Sequence, residues 1–337
     1  MNLRQLRNFI HIVDTGSITR TAHNIGIAQP ALTLQIAQLE EELRTQLLLR
    51  SPRGVTPTAA GLMLYRQARQ VLRQMEQLPH AVRSTAAELE GEVVAGFSTA
   101  MVPLFAAPLA ACVMARHPRL KMRVLEGEST LLQEMVAHSR VDMAVLIDSG
   151  AVPTGLQHQV LCTLGVGLLC DGSAPDDVPG RPIALAEAAR RVAAMPGPAN
   201  PIRLAVEAAL QQAGLPPPAI RLELNSLPAL SSAVSNGLGP VFAPLVPLSA
   251  MPVAPGMHFR PVAGLEQALQ ACLCTSREMP VSLAAHAVQR ALIEAVEIRT
   301  QRDDWPGRDA EAPMPAIPPI PVLSCPPAGG EDAPADA

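Results

Sequence analysis

The sequence has no unbroken apolar stretch of membrane-spanning length, although apolar residues make up 48 % of its 337 residues. Its first ten residues, MNLRQLRNFI, mix polar and apolar side chains, so they lack the apolar block and the cleavage site of a secretory signal. Charged residues contribute only 17 %, which leaves ample apolar material for sizeable cores. We therefore expect a cytoplasmic protein without a membrane partner, and the length predicts two or three folded units.

No two of the six cysteines are separated by the two-residue gap that is typical of zinc and redox sites. Cys272 and Cys274 alternate within an apolar run, which would place both on one face of a strand. Buried free thiols are the favoured interpretation, and a redox role is the weaker alternative. The sequence thus predicts no metal site and no cofactor.

The usual signatures of catalysis are also missing. The sequence contains no G-x-S-x-G, no H-E-x-x-H and no G-K-[ST], and the fragment Gly165-Val166-Gly167 is too short to count as a phosphate loop. We predict that the chain is not an enzyme. A measured turnover with any substrate would revive the enzyme alternative.

Charge is unevenly distributed along the chain, whose net charge is −4. From Met1 to Met75 there are nine arginines against four acidic residues, whereas the segment after Gln301 is acidic and rich in proline. The basic end favours a nucleic-acid partner. Residues 301–337 are predicted to be a disordered tail, with a passive extension favoured over a proline-rich ligand motif.

Helical spacing is clear in the first part of the chain. The apolar residues from Leu3 to Val13 recur at three and four residues, Gly16 ends the run, and Ser17 is a plausible N-cap for a short second helix. A third helix begins near Gln29, with Pro30 suited to its first turn. Its polar residues Thr33, Gln35 and Gln38 fall opposite the apolar Leu32, Ile36 and Leu39, so we expect that polar face to be free for a partner.

The segment Leu47–Val55 predicts a β-hairpin, or wing, with arginines at its edge. Thr56-Pro57-Thr58 then predicts a cap with Pro57 at the first position of a long helix that reaches about Leu89. Pro79 predicts a kink or break in that helix. Its apolar stripe is too long for the N-terminal unit to cover, so a second copy of the chain is the expected cover.

A helix of this kind fits the major groove of DNA, where its side chains can meet base edges and thymine methyls, while wing arginines and hydroxyls pair with phosphates. The expected DNA contacts are Ser17, Thr19, Gln29, Pro30, Ala31, Thr33, Gln35, Arg50 and Arg53. The alternative is a protein-binding helical bundle with a solvated, arginine-rich face.

The N-terminal ninety residues resemble the DNA-binding unit of the LysR-type transcriptional regulators. The matching residues, in order and spacing, are Phe9, Gly16-Ser17, Thr21-Ala22, Gln29-Pro30-Ala31-Leu32-Thr33, Leu39-Glu40, Leu43, Leu47-Leu48, Arg50 and Thr56 to Gly61. Within that family the chain is most similar to the nitrogen assimilation control branch, through Ile12 to Ser17 and Arg53 to Thr58. Leu34 departs from the pattern, since many relatives carry a polar or basic residue there.

From Glu92 onward, short apolar runs alternate with helices, which predicts an α/β unit with parallel strands. Expected strands are Val93–Phe97, Met122–Leu125 and Met143–Ile147, with a helix from Leu104 to Ala115. The family resemblance continues here to about Arg299, through Asp142 to Val145 and Asn236 to Gly239 among others. It implies a two-lobed fold like a periplasmic solute-binding protein, with a ligand crevice between the lobes.

Strand ends and helix N-termini in such a crevice offer N–H groups to anions. The expected effector contacts are Ser98, Thr99, Ser129, Thr130, Asn200 and Arg203. Simple helix capping is an equally good interpretation of the hydroxyl and amide side chains, and Arg203 could equally be an exposed helix arginine.

The predicted architecture is therefore multidomain: an all-α winged helix-turn-helix and a long linker helix, followed by a two-lobed α/β domain. The expected bounds are 1–58 for the winged unit, 59–90 for the linker and 91–300 for the effector domain, with lobe one at 92–161 and 268–299 and lobe two at 162–267. The resemblance implies double-stranded DNA, a small-molecule effector and a second copy, as homodimer or homotetramer, as partners, with RNA polymerase a further candidate. A free solute-binding protein is the alternative, but it would leave the first ninety residues unexplained.

Overall fold

The computed structural model describes residues 1–52, 54–83, 89–148, 152–251, 253–302 and 305–306. The predicted wing contact Arg53, the expected last turn of the linker helix at 84–88 and nearly all of the predicted tail lie outside these ranges. Within the described ranges, no helix combines the length and the hydrophobicity that crossing a membrane requires.

Three helices, a hairpin and a long helix form the N-terminal unit: α1 (Leu3–Thr15), α2 (Ile18–Asn24), α3 (Gln29–Leu43), β1 (Leu48–Ser51), β2 (Gly54–Pro57) and α4 (Ala59–Arg83). Gly16 ends α1 in the left-handed region at φ 65°, where a residue without Cβ is favoured. The Ser17 hydroxyl then accepts a hydrogen bond from the Arg20 N–H at 3.2 Å and caps α2. Pro30 lies in the first turn of α3. These local predictions are confirmed.

The core of this unit is built from the apolar faces of its helices. Phe9 and Ile12 of α1 pack with Leu32, Ile36 and Leu39 of α3, and all five are fully buried. The wing is fastened to this core because Glu40 Oε1 accepts hydrogen bonds from the N–H groups of Leu47 and Leu48. The burial of one face of α3 leaves its opposite face to solvent.

The start of α4 differs from the sequence prediction. Pro57 is the last residue of β2, paired with Leu48, and not the first residue of the helix. Thr58 is the cap instead: its hydroxyl accepts from the Gly61 N–H at 3.0 Å and donates to the Gln46 carbonyl at 2.8 Å. The prediction failed because a proline before a cap also fits an edge strand. Proline has no N–H to donate to a neighbouring strand, and an edge position does not require that hydrogen bond.

Gly61 allows α4 to touch the wing, and we expect Gly61→Ala to destabilise the protein. A Cβ at this position would lie 2.1 Å from the Leu47 carbonyl oxygen and 3.2 Å from Pro57 Cβ. Alanine normally favours a helix by about 1 kcal/mol over glycine, but here overpacking against backbone should cost about 1–3 kcal/mol. Urea denaturation would measure the loss.

Gly127→Ala is the matched control for that variant, because its Cβ would meet Leu132 Cδ2 at an ordinary 3.5 Å. A Gly61→Ala protein as stable as the parent would contradict the close packing of helix and wing.

Helix α4 continues through Pro79 to Arg83, so of the predicted kink or break, the break is absent. Proline removes one hydrogen-bond donor, which leaves a single carbonyl in the preceding turn without its usual helical partner. Leu89, where the helix was expected to end, is described and is not helical.

Lobe one is a five-stranded mixed sheet with the order β4-β3-β5-β12-β6. Its strands are β3 (Gly91–Ser98), β4 (Leu120–Gly127), β5 (Met143–Asp148), β6 (Leu156–Leu164) and β12 (Leu269–Ser276). The three strands predicted from sequence are confirmed as the cores of β3, β4 and β5, which run parallel. The predicted helix is preceded by a π-helical turn, Val102–Ala106, and forms α5 (Ala107–Arg116); α6 (Ser129–Ala137) and α10 (Leu283–Thr300) complete the lobe.

Lobe two is a second five-stranded sheet with the order β11-β7-β10-β8-β9. It contains β7 (Val166–Cys170), β8 (Ala194–Met195), β9 (Leu222–Glu223), β10 (Val241–Pro244) and β11 (His258–Pro261), with helices α7 (Leu185–Arg191), α8 (Pro201–Gln212) and α9 (Leu227–Ser235). The chain crosses between the lobes after β6 and again after β11. Two crossings of this kind leave a crevice between the lobes.

Trp305 corrects the predicted start of the disordered tail. Its side chain is buried, its ring lies 6.4 Å from that of Phe105 in lobe one, and Arg299 stacks over it. Large aromatic side chains gain more from burial than any other residue type, which explains why the chain packs here beyond α10.

Candidate nucleic-acid interface and ligand crevice

The exposed face of α3 begins at its N-terminal end. Gln29, Pro30 and Ala31 are exposed and Thr33 is half-buried, while Leu32 between them points into the core. Gln29 Nε2 donates a hydrogen bond to Thr33 Oγ1 at 3.2 Å, so the two side chains lie together on one face. These side chains present amide, hydroxyl and methyl groups, the chemistry that reads base edges in a major groove.

Of two neighbouring residues on α3, Gln35 is placed differently from expectation. Gln35 is not free, because its side-chain oxygen accepts a hydrogen bond from Asn8 Nδ2 of α1 at 2.7 Å. Only its amino group is left for a partner. Leu34, in contrast, is 59 % exposed next to Thr33. An apolar side chain of this kind can contact a thymine methyl but forms no hydrogen bond with a base.

The remaining expected DNA contacts flank this helix. Thr19 and Arg50 are exposed, on α2 and on the wing strand β1, whereas the Ser17 hydroxyl is half-buried and engaged in its cap. The wing is tied to this region because the Val55 N–H donates to the Gly16 carbonyl at 2.8 Å. Arg53 lies outside the described residues. The cap of α2 and the wing therefore border one surface.

The crevice between the lobes is lined by residues from both sheets. Its walls come from the ends of β3 and β4 and from the first turns of α6, α8 and α9, and it holds about 480 Å³ including its open mouth. Four of the six expected effector contacts, Ser98, Thr99, Ser129 and Asn200, line it. These four residues, which are up to about a hundred positions apart in the sequence, therefore lie together in the structure as expected.

Polar groups in the crevice suit a small hydrogen-bonding ligand. Ser98 Oγ is buried and has no hydrogen-bond partner among the described residues, which is costly unless a ligand or water pairs with it. Asn200 caps α8 by accepting from the Ile202 N–H at 3.0 Å. The described lining contains no lysine or arginine, and its charged member is Glu128.

Two expected contacts do not line the crevice. Arg203 forms ion pairs with Glu207 at 2.7 Å and Glu223 at 2.6 Å and donates to the Pro196 carbonyl at 3.2 Å. Hydrogen bonds to both carboxylates raise its pKa, and the guanidinium is already satisfied within lobe two. Thr130 is exposed on α6 and lies outside the lining set. A carboxylate clamp by Arg203 is therefore wrong.

Asn225 is a lining residue that the sequence interpretation missed. Its side-chain oxygen accepts a hydrogen bond from the Gly197 N–H at 2.7 Å and holds the loop before α8 against the loop before α9. The signal was present: Asn225 precedes Ser226, whose hydroxyl caps α9. Polar residues that cluster ahead of a capped helix point to this kind of loop.

A polar network that sequence reasoning did not foresee joins the N-terminal unit to lobe one. The hydroxyl of Tyr65 donates to Asp14 at 2.5 Å, and Arg140 contacts both, Asp14 at 2.7 Å and the Tyr65 hydroxyl at 2.5 Å. Arg69 also pairs with Asp14 at 3.1 Å. The members are up to 126 residues apart, so no local pattern could have revealed their contact.

Burial raises the pKa of the Cys162, Cys170, Cys272 and Cys274 thiols to about 12. A thiol in this state is protonated at neutral pH and is a poor nucleophile. Cys272 and Cys274 pack in one apolar cluster on the same face of β12, which confirms the expectation of buried free thiols on one strand face.

Comparisons with known proteins agree with this architecture. Residues 3–62 match the family model described as "Bacterial regulatory helix-turn-helix protein, lysR family", and residues 86–297 match "LysR substrate binding domain". The chain is 37 % identical over 72 % of its length to the "Nitrogen assimilation regulatory protein nac" of Escherichia coli K12, of which it covers 78 %. It is 32 % identical over 88 % of its length to the protein of the same name from Klebsiella aerogenes, of which it covers 95 %.

Solved structures share the fold. A full-length OxyR variant from Pseudomonas aeruginosa superposes with a TM-score of 0.66 at 18 % identity, covering 88 % of this chain and 98 % of that one. Full-length CbnR, described as complexed with its target DNA, superposes with a TM-score of 0.60 at 17 % identity, covering 89 % of this chain and 100 % of that one.

Proposed function

The chain belongs to the LysR family of transcriptional regulators, and we propose that it reads its operator through the N-terminal half of α3 and senses a small ligand in the crevice between its lobes. The observation that carries this proposal is the two-faced α3, with Leu32, Ile36 and Leu39 locked in a core and Gln29 exposed at its start. A helix fixed on one side and polar on the other is what major-groove docking requires.

Base reading and phosphate contact fall to different groups in this proposal. Gln29 and Thr33 meet base edges, Pro30 and Ala31 meet thymine methyls, and the amino group of Gln35 is available beside them. Thr19, Ser17 and the wing arginines Arg50 and Arg53 pair with phosphates and set the register. RNA polymerase is a further candidate partner once the protein is bound at a promoter.

A second copy covers α4. Six large apolar side chains are exposed among the described side chains of this helix: Leu62, Met63, Val71, Met75, Leu78 and Val82. The last four follow a spacing of four, three and four residues, the seam of a coiled coil. Pairing through this seam gives a dimer with two winged units for two half-sites, and tetramers arise by pairing of dimers.

The crevice supplies the regulatory input. The ligand is small, polar and rich in hydrogen-bonding groups. It is surrounded by five polar side chains of the lining: Ser98, Thr99, Ser129, Asn200 and Asn225. Closure of the lobes on it changes the spacing of the winged units, which bends or releases DNA. The family models at residues 3–62 and 86–297 support a division into a winged unit at 1–58, a linker at 59–90 and an effector domain at 91–300.

The direct test is selection of genomic fragments by the purified full-length protein at moderate salt, followed by footprinting with and without metabolites. We expect a pair of related half-sites to be enriched, and an effector to change the footprint length. The proposal would be wrong if the protein preferred no duplex over random sequence, both with and without metabolites.

Arg50→Ala should weaken binding to the selected operator and to random duplex by similar factors. A phosphate contact carries no sequence information, and each one lost lowers the slope of log K against log salt by about 0.9. Filter binding over a salt series would measure both quantities. Arg221→Ala, an exposed arginine of lobe two, is the control and should change neither. Loss confined to the operator would mean that Arg50 reads a base.

A further inference from the structure

Three neighbouring strands of lobe one each direct one metal-ligand side chain to the same buried spot. Asp148 ends β5, His158 lies on β6, and Cys272 lies on β12 between them in the sheet. The carboxylate, imidazole and thiol atoms all lie within 4.8 Å of one another. Among the described residues this is the one such group of three or more.

The trio is shielded from water. The side chains of Asp148 and His158 are 7 % and 4 % exposed, and their Oδ2 and Nδ1 atoms lie 2.5 Å apart. His158 Nε2 is buried and has no hydrogen-bond partner in the described part of the chain. A buried imidazole nitrogen without a partner costs about 1–3 kcal/mol, so the imidazole is fixed in place through Nδ1 alone.

The surroundings favour a positioned site over an accidental cluster. The pairing of β12 with β6 shifts register between Ala271 and Cys272, and such bulges re-aim side chains. Ligands held on strands are positioned more exactly than ligands on loops. Leu132 and Val136 of α6 cover the apolar cluster that contains Cys272, and the first turn of that helix borders the crevice.

We propose that Asp148, His158 and Cys272 form a site for one divalent cation of borderline softness, of the Zn²⁺ class, outside both the DNA interface and the crevice. Mixed sulfur, nitrogen and oxygen ligands select this class over Mg²⁺ and Ca²⁺, which take oxygen alone. Three protein ligands leave a fourth position for water or another small ligand. Shared coordination needs ligand distances of about 2.0–2.3 Å, so Asp148 and His158 move slightly apart.

Binding is accompanied by loss of one proton. The Cys272 thiol, protonated without the cation, becomes a thiolate bonded to the metal, and its proton passes to solvent. The hydrogen bond between His158 Nδ1 and Asp148 Oδ2 is replaced by a bond from each atom to the metal, and its proton moves to His158 Nε2, so the imidazole stays neutral. No electron is transferred.

The test uses the full-length protein without a histidine tag, reduced and stripped with a chelator. We expect it to take up one equivalent of Zn²⁺, and Co²⁺ as a probe to give the near-ultraviolet absorption of a cobalt–thiolate bond. Cys272→Ser should abolish that absorption and, like His158→Gln, weaken Zn²⁺ binding by at least about 10–100-fold, the loss seen for outer-shell partners alone. Cys274→Ser is the matched control, since Cys274 is equally buried two residues along the same strand face.

Circular dichroism and thermal melts check that each variant is folded, and Cys272→Ala replaces the serine variant if that one is not. The spectrum of the parent protein is informative by itself. Absence of a cobalt–thiolate band in the parent would overturn the proposal and leave an Asp148–His158 pair that only joins β5 to β6. Equal loss in Cys274→Ser and Cys272→Ser would also overturn it.

Discussion

Asp142→Ala is expected to lower the free energy of unfolding by about 3–5 kcal/mol, the usual consequence of removing one partner from a buried ion pair. Asp142 precedes β5, and its side chain is 7 % exposed. Its Oδ1 accepts from Arg73 Nε at 3.0 Å, and its Oδ2 contacts the Arg73 guanidinium and accepts from the Val94 N–H at 2.8 Å. Alanine at this position would leave both the Arg73 guanidinium and the Val94 N–H without the carboxylate that they contact.

The same pair fastens the linker helix to lobe one. Arg73 belongs to α4 and also donates to the Ser139 carbonyl at 3.1 Å, where Ser139 takes a positive φ of 55°. The bidentate geometry is specific to a planar guanidinium. We therefore expect Asp142→Ala to loosen the docking of α4 in addition to destabilising the sheet, visible as earlier proteolysis of the linker.

Thermal and urea unfolding would measure the loss, with Lys121→Ala as the control. The Lys121–Glu92 pair is also in lobe one but its lysine is 71 % exposed, so its removal should cost less than about 1 kcal/mol. The loss of stability in Asp142→Asn should lie between those of Asp142→Ala and Lys121→Ala, because an amide oxygen can still accept the hydrogen bond from the Val94 N–H. If Asp142→Ala and Lys121→Ala were equally mild, the ion pair would be unimportant for stability.

The sequence predicted those structural features that are set by residues close together along the chain. Gly16, Ser17 and Pro30 mark helix ends by their own backbone and capping chemistry, so the helix-turn-helix could be placed from local patterns. The predictions failed where the outcome depends on a distant partner. Arg203 could not be assigned because its pairing with Glu223 across two elements leaves no trace in the local sequence.

The same reason explains the features that went unpredicted. The single tyrosine, Tyr65, gave no sign that its hydroxyl contacts Asp14 and Arg140, which lie in distant parts of the sequence. Cysteine spacing could not reveal the surroundings of Cys272 either, because it finds groups of side chains that one loop brings together and not a trio spread over three strands. Pro79 predicts a kink or break because its local effect is unfavourable, yet α4 runs as a helix through it to Arg83.

The double variant Gln29→Ala with Thr33→Ala should erase most of the preference for the selected operator over random DNA. One good bidentate base contact is worth about 1–3 kcal/mol, or roughly 5- to 150-fold in discrimination. Both side chains lie at the outer face of α3 and bond to each other at 3.2 Å, so removing one alone leaves the other free to rearrange. Non-specific affinity and its salt slope should stay nearly unchanged, since no phosphate contact is lost.

Competition binding with the operator and with scrambled duplex, over a salt series, separates these effects. Gln211→Ala, on an exposed position of α8 in lobe two, is the control and should keep full discrimination. The fold should tolerate the double variant, because alanine favours helices and neither side chain belongs to the core. A parallel fall in affinity for both duplexes, with a shallower salt slope, would mean that these residues hold phosphates and that bases are read by another part of α3.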